Sequence, residues 1–396
     1  MVERIERSNT NSVKYNPKAI ENLCGNPNAE PFWVADMDLA SPNAAKEALV
    51  ATAQLGLYGY PAFDGLDQAF IDWVRMRHSC TLSKTDVVVS PGILASIAVM
   101  TELLPARDVI IPRPAYKPFV GIARNHGRRI HDWPLAYDRE EGRFDLDFAS
   151  LEEIASRPGS KILYFCSPHN PSGRVWNRAE LEKTAEICKK YDIVVFSDEI
   201  HCDLTFPSQH HTPFFEVAKE KDLECIVFMA PSKTFNIAGE HFSATVFTDL
   251  STREAFSTYL EKMRMGEISL FSGTAALACY RHGYSWLMEL TAYLEDNAKL
   301  IDDFLKTQLP QVGFIMPQAS FVTFLDCSQV RTMLQKAGKD IDLVHFFGKE
   351  ASVAMNAGPW FGEGYEDFLR FNYGTDKNHI TEALKRMKKA VEGIQG

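Results

Sequence analysis

Six short apolar runs constrain this chain more than any other feature, because each is too short for a helix and each is separated from the next by intervening chain. They fall at 87–89, 109–111, 162–166, 193–196, 225–229 and 244–247. The intervening chain includes helical patterns such as 94–104 and 178–191. In the second of these, Leu181, Ala185 and Cys188 share one face, and lysines and glutamates occupy the other. Apolar runs without alternation read as strands covered on both faces, and strands alternating with helices imply an α/β fold with a mainly parallel sheet. The pattern changes after about residue 285. An amphipathic stretch at 286–309 leads to strand candidates near Phe314 and at 321–325. A last helix near 377–394 then places Ile380, Leu384, Met387 and Val391 at helical spacing. The expected organisation is a large domain at 46–285 and a smaller α+β domain at 286–396, which an N-terminal segment at 1–45 joins.

Composition narrows the partners. The net charge of −10 argues against a nucleic acid or an anionic membrane surface. No apolar run is long enough to span a bilayer, and the polar start at 1–16 lacks the apolar core of a signal peptide. The eight cysteines are scattered, form no C-x-x-C pair and mostly sit in apolar runs. This pattern predicts a reduced, cytoplasmic protein without disulfides or a zinc site. His210 and His211 lack a third ligand at a convincing spacing, so no metal is expected.

Three of the runs end in unusual polar loops: Ser167-Pro168-His169-Asn170-Pro171-Ser172-Gly173, Ser197-Asp198-Glu199-Ile200-His201, and Ala230-Pro231-Ser232-Lys233-Thr234-Phe235-Asn236. In an open α/β sheet the crevice at the carboxyl ends of the strands binds ligands. The loops would bring an amide, a carboxylate and an amine to one place. That trio suits a pyridine cofactor carrying a phenolic oxygen and an aldehyde.

The order N-P-x-G, D-E, S-K-T resembles that of fold-type I aminotransferases. The wording is closer still to the MalY/PatB branch of carbon–sulfur lyases: "WVADMD" at 33–38, "YGYP" at 58–61, "SPHNPSGRVW" at 167–176, "DEIHCDL" at 198–204 and "SKTFNIAG" at 232–239. The likeness runs from "TNSVKYN" at 10–16 to "FLRFNYG" at 368–374. It implies the aminotransferase fold, with a mainly parallel seven-stranded sheet and a smaller α+β domain, and pyridoxal 5'-phosphate (PLP) as cofactor. Lys233 resembles the Schiff-base lysine, Asp198 the partner of the ring nitrogen, Asn170 the amide at the phenolic oxygen and Tyr116 the aromatic stacked on the ring. Gly92, Ile93 and Leu94 resemble a backbone phosphate cradle, and Ser232 a hydroxyl donor to the phosphate. Tyr60 resembles a tyrosine that reaches the phosphate across a homodimer interface. Arg370 resembles the arginine that forks onto the substrate α-carboxylate.

Some positions read two ways. Many aminotransferases carry a phosphate-binding arginine shortly after the lysine; His241 occupies that neighbourhood here, a departure shared by much of the lyase branch. His201 reads equally as a cofactor contact or as hydrogen-bonded packing. Trp33, Asp36 and Asp38 either line the substrate entrance or anchor the N-terminal segment, and Trp33 and Asp38 are taken as substrate-side candidates. The resemblance implies β-elimination from a small sulfur amino acid such as cystathionine, giving a thiol, pyruvate and ammonia. The alternatives are amino-group transfer, which begins with the same carbanion, and a regulatory binding protein built on an enzyme scaffold.

Overall fold

The six apolar runs are strands of a single seven-stranded sheet in the computed structural model, which describes residues 3–395. Residues 1–2 and 396 of the expected terminal segments lie outside the described residues. The strands are β1 (Val87–Ser90), β2 (Asp108–Arg113), β3 (Arg129–Pro134), β4 (Lys161–Cys166), β5 (Ile193–Asp198), β6 (Cys225–Met229) and β7 (Ser243–Phe247), in the spatial order β1-β7-β6-β5-β4-β2-β3. β7 runs antiparallel to both its neighbours and every other pair is parallel.

Residues alternate strictly between the two faces. Ile110, Leu163, Val195 and Val227 enter one apolar core, while Val109, Ile111, Ile162, Phe196, Ile226 and Phe228 enter a second on the opposite side. This two-sided burial explains why the runs are continuously apolar. β3 is the strand without an apolar run. It closes one edge of the sheet, and its Arg129, Asp132 and Pro134 are exposed while Trp133 is buried. Trp133 meets one core and Ile130 packs at the rim of the other, so an edge strand this exposed needs no continuous apolar stretch.

Beyond residue 284 the chain forms a four-stranded antiparallel sheet. Its strands are β8 (Gly313–Phe314), β9 (Val322–Asp326), β10 (Asn356–Ala357) and β11 (Phe368–Asn372), in the order β8-β9-β11-β10. Helices Tyr284–Gln308 and Lys377–Glu392 accompany it and pack on each other. The second helix buries Ile380, Leu384, Met387 and Val391 and is capped by the Asp376 carboxylate, which accepts from the amides of Asn378 and His379. The N-terminal chain contributes to this lobe, since Glu30–Pro31 pairs with Val353–Ala354. Residues 33–39 then pass toward the carboxyl ends of the large sheet.

The strand order reverses between β2 and β4. β3 lies outside β2, whereas β4, β5 and β6 follow in turn on its other side. A crevice opens at such a point. The loop after β2, carrying Tyr116, and the loop after β4, carrying Asn170, border it.

Candidate active site

Lys233 sits in a single helical turn, Pro231–Thr234, immediately after β6, with Pro231 at its first position. Its Nζ donates to the carbonyl of Ala35 at 2.6 Å. Burial brings the amine from its ordinary 10.5 down to about 8; the nearby positive Arg370 adds to this, and Asp36 and Asp198 oppose it.

Asp198 ends β5, the strand beside β6, and its Oδ1 accepts from the Ile200 amide at 3.1 Å. Burial raises its carboxyl from 3.8 to about 7; the neighbouring Glu199 pushes the same way, and the Ile200 amide and Lys233 pull back. No ion pair engages Asp198 among the described residues. A buried acid in this state is matched by a cation placed beside it.

Arg370 reaches the same space from β11 of the smaller sheet. Its Nη2 donates to the Trp33 carbonyl at 2.7 Å and to Asn356 Oδ1 at 2.8 Å, and its Nη1 lies 3.4 Å from Asn170 Oδ1. The ring of Phe361 backs the guanidinium at 5.0 Å. These partners are all neutral, the buried Nε has no hydrogen-bond partner, and burial lowers the group from 12.5 to about 10. The arrangement leaves a guanidinium in want of a carboxylate.

The loops between them are firmly held. His169 bridges the switch point, with Nε2 2.9 Å from the Pro114 carbonyl and Nδ1 2.7 Å from Ser172 Oγ; burial lowers it to about 4, so it stays neutral. Tyr116 begins helix Lys117–Asn125, and its ring packs edge-on against Phe119. Burial raises its hydroxyl, and the next cause is the charge of Asp198, which places the two in electrostatic reach. His201 is buried against Phe321 with Nδ1 3.0 Å from Ser320 Oγ. Burial lowers it to about 3, helped by Lys233 and Arg370, so it is a neutral neighbour of both.

Residues 33–39 cross this space and are held from two sides. Asn372 donates to the carbonyls of Val34 and Asp36. Asn236, three residues past the lysine, donates to the carbonyls of Met37 and Leu39 and accepts from the Met37 amide. Its φ of +54° is a left-handed conformation that asparagine tolerates better than most residues. The Asn236, Asn356 and Asn372 roles were missed in the sequence; only Asn236 carried a signal, as the last polar residue of the lysine loop.

Two expectations need correction. Asp38 does not face the substrate space: its buried carboxylate accepts from Lys14 Nζ at 2.9 Å and Arg7 Nη1 at 3.2 Å, which anchors the N-terminal segment. Trp33 meets the site through its carbonyl, while its indole N–H donates to the Lys14 carbonyl. In the suggested phosphate cradle, the Gly92 amide is already bonded to Ser243 Oγ at 3.1 Å. That leaves the amides of Ile93 and Leu94, in the first turn of helix Ile93–Leu103, to meet an anion. Ser232 is half-buried in the lysine turn and His241 is exposed; no contact ties His241 to the cluster among the described residues. Tyr60 is 97% exposed, beside exposed Leu55, Leu57 and Tyr58.

The model for aminotransferase class I and II matches residues 34–387. The chain belongs to that family. Within it, the chain is 36% identical over 392 residues to cystathionine beta-lyase PatB of Bacillus subtilis, covering 98% of this chain and 99% of that one. The solved PLP-bound C-S lyase of Staphylococcus hominis superimposes with a TM-score of 0.88 at 28% identity, covering 98% of this chain and 97% of that one. Cystalysin of Treponema denticola, whose structure contains pyridoxal 5'-phosphate, gives the same TM-score and identity over 99% of this chain and 98% of that one. The donor set of this family member fits that cofactor. An unpaired buried acid, a lysine with a lowered pKa and free first-turn amides suit its ring nitrogen, aldehyde and phosphate.

Proposed function

We propose that this chain is a PLP-dependent carbon–sulfur lyase that removes the sulfur substituent of cysteine S-conjugates such as cystathionine, consuming water and yielding a thiol (homocysteine), pyruvate and ammonia. The observation that carries the reading is the convergence of Lys233, Asp198 and Arg370 from two lobes on one buried space. The full-length likeness to lyases supports elimination over transfer.

Each residue has a task that its surroundings support. Arg370 forks onto the α-carboxylate, a planar bidentate match, and replaces contacts to neutral groups with a charged one. Lys233, with much of its amine neutral near pH 8, takes the Cα proton as general base. The bound cofactor supplies an aldehyde for amines and a ring that accepts electrons from the carbanion. Asp198 holds the proton on the ring nitrogen, because an adjacent negative charge favours the cationic form. Asn170 supplies its amide to the phenolic oxygen, and Tyr116 covers a ring face. Ser232 and the amides of Ile93 and Leu94 hold the phosphate.

The smaller pieces of the proposal follow. Lobes divided near 45 and 285 flank the site. Two copies of the chain pair through the exposed 55–60 stretch, so that Tyr60 serves the partner's phosphate. Eight free, buried cysteines suit a reducing cytoplasm. No helix among the described residues is long and apolar enough to cross a membrane.

The test is to incubate the protein with cystathionine, cystine, cysteine and S-methylcysteine and measure pyruvate and free thiol. Pyruvate equimolar with the released sulfur compound (homocysteine, thiocysteine, hydrogen sulfide or methanethiol in turn), both vanishing in Lys233→Ala, is expected. A keto acid retaining the intact side chain, without thiol, would establish amino-group transfer instead.

A further inference from the structure

We propose that Asp203 and Thr234 form a positioning pair that sets Lys233 relative to Asp198. The inference rests on the assignment of Lys233 above and concerns residues that touch neither substrate nor cofactor.

Asp198 is the last residue of β5 and is in register with Phe228 of β6, so the sheet fixes the acid, whereas Lys233 lies beyond β6 in the short turn Pro231–Thr234, which needs its own anchor. Past Asp198 the chain turns through Cys202–Leu204, which carries Asp203. Thr234 directly follows Lys233. Its buried hydroxyl donates to Asp203 Oδ2 at 2.8 Å. One carboxylate therefore links the chain just past the acid to the turn that bears the amine.

Asp203 is itself fixed. Its Oδ1 accepts from Trp73 Nε1 at 3.0 Å and lies 2.8 Å from His78 Nε2, both on helix Leu66–His78. Arg77 from the same helix donates at 3.0 Å to the carbonyls of Asp203 and Thr205, which fastens the main chain of the turn. Burial alone would raise the Asp203 carboxyl, but the bonds from His78 and Thr234 and the charge of Arg77 hold it below its ordinary value. His78, Cys202 and Asp203 stand close enough to suggest a metal site. Protein donors already engage both Asp203 oxygens, so hydrogen bonding accounts for the cluster. The ring of Trp73 also packs against Phe235, the residue after Thr234, at 5.1 Å. The lysine turn is thus gripped by a hydroxyl on one residue and a ring on the next.

A carboxylate-to-hydroxyl bond of this kind orients a neighbour without taking part in chemistry. Misplacing a reacting group by about 1 Å can cost about a hundredfold in rate. Thr234→Val keeps the shape and removes the bond; Thr234→Ser keeps the bond.

The experiment compares the parent chain, Thr234→Val and Thr234→Ser. It reads kcat and KM for cystathionine, the melting temperature of the cofactor-free protein, and the rate at which added PLP develops the near-visible absorbance of the lysine-bound form. The expected result is that Thr234→Val lowers both kcat and the rate of band formation by about tenfold or more. KM should stay within about twofold, and Thr234→Ser should restore both rates. The proposal is overturned if Thr234→Val matches the parent in both rates. It is equally overturned if Thr234→Ser fails to rescue, or if the loss tracks a collapse in melting temperature alone. Absence of the absorbance band in the parent chain would instead show that the assignment of Lys233 is wrong.

Discussion

Arg370 and Asn170 are 200 residues apart in sequence, yet Nη1 of one lies 3.4 Å from Oδ1 of the other. The bond joins the smaller sheet to the loop after β4. Both side chains thereby border the crevice for which a substrate carboxylate and a phenolic oxygen are proposed above.

Arg370→Lys keeps a positive charge and loses the planar fork. A hydrogen bond to a charged group contributes about 1.5–3 kcal/mol. The expected result is a loss of roughly 10- to 100-fold in kcat/KM for cystathionine, carried mainly by KM, as read from pyruvate formation. An unchanged KM would place the substrate carboxylate elsewhere.

Burial pushes the Lys233 amine from its ordinary 10.5 down to about 8. Only the neutral amine is nucleophilic, so its reactivity rises with pH through that value. In the cofactor-free protein, amine-directed labelling of Lys233 followed by mass spectrometry should show a midpoint near pH 8. Free lysine side chains in a model peptide, with a pKa of about 10.4, should still be gaining reactivity near pH 10. A Lys233 midpoint coinciding with theirs would contradict the buried setting.

Tyr60 finds no partner among the described residues of one copy, being 97% exposed within an exposed apolar stretch. Tyr60→Phe removes one hydroxyl and leaves the ring. PLP should dissociate about 5- to 10-fold faster, as expected for one hydrogen bond of about 1 kcal/mol. The protein should sediment as a dimer in both forms. A monomeric active species would refute the cross-subunit role.

Gly173 follows the Asn170 turn with φ +69°, and a Cβ there would stand 2.5 Å from Pro317 Cβ and 3.0 Å from the Ala319 carbonyl. Gly173→Ala combines an unfavourable backbone conformation with overpacking against main chain. Destabilisation of about 1–3 kcal/mol or more is expected, seen as a lower urea midpoint at unchanged slope.

Features that depend on local composition were legible in the sequence. The apolar runs gave six of the seven large-sheet strands because both faces of those strands are buried. Lys233, Asp198 and Asn170 could be placed at one edge of the sheet because each lies at or just past the carboxyl end of such a strand. β3 escaped notice because only Trp133 of its six residues is buried, which leaves Arg129, His131 and Asp132 to break any apolar run. The roles of Asn356 and Asn372 were equally hidden: their bonds go to Arg370 and to main-chain carbonyls hundreds of residues away in sequence, and no spacing rule records that. Asp38 was misread because an acidic residue beside a motif looks the same whether it meets a ligand or a buried lysine. In this fold its partner is Lys14, itself fully buried.

Arg370, Asn372, Lys233 and Asn236 all donate to carbonyls within residues 33–39. That short stretch is therefore the mortar between the two sheets, although it belongs to neither. Trimming the chain up to residue 40 would strip acceptors from a lysine, an arginine and two amides at once. The cofactor crevice would be left unroofed, and the damage would register first at the reaction centre, not at the trimmed end.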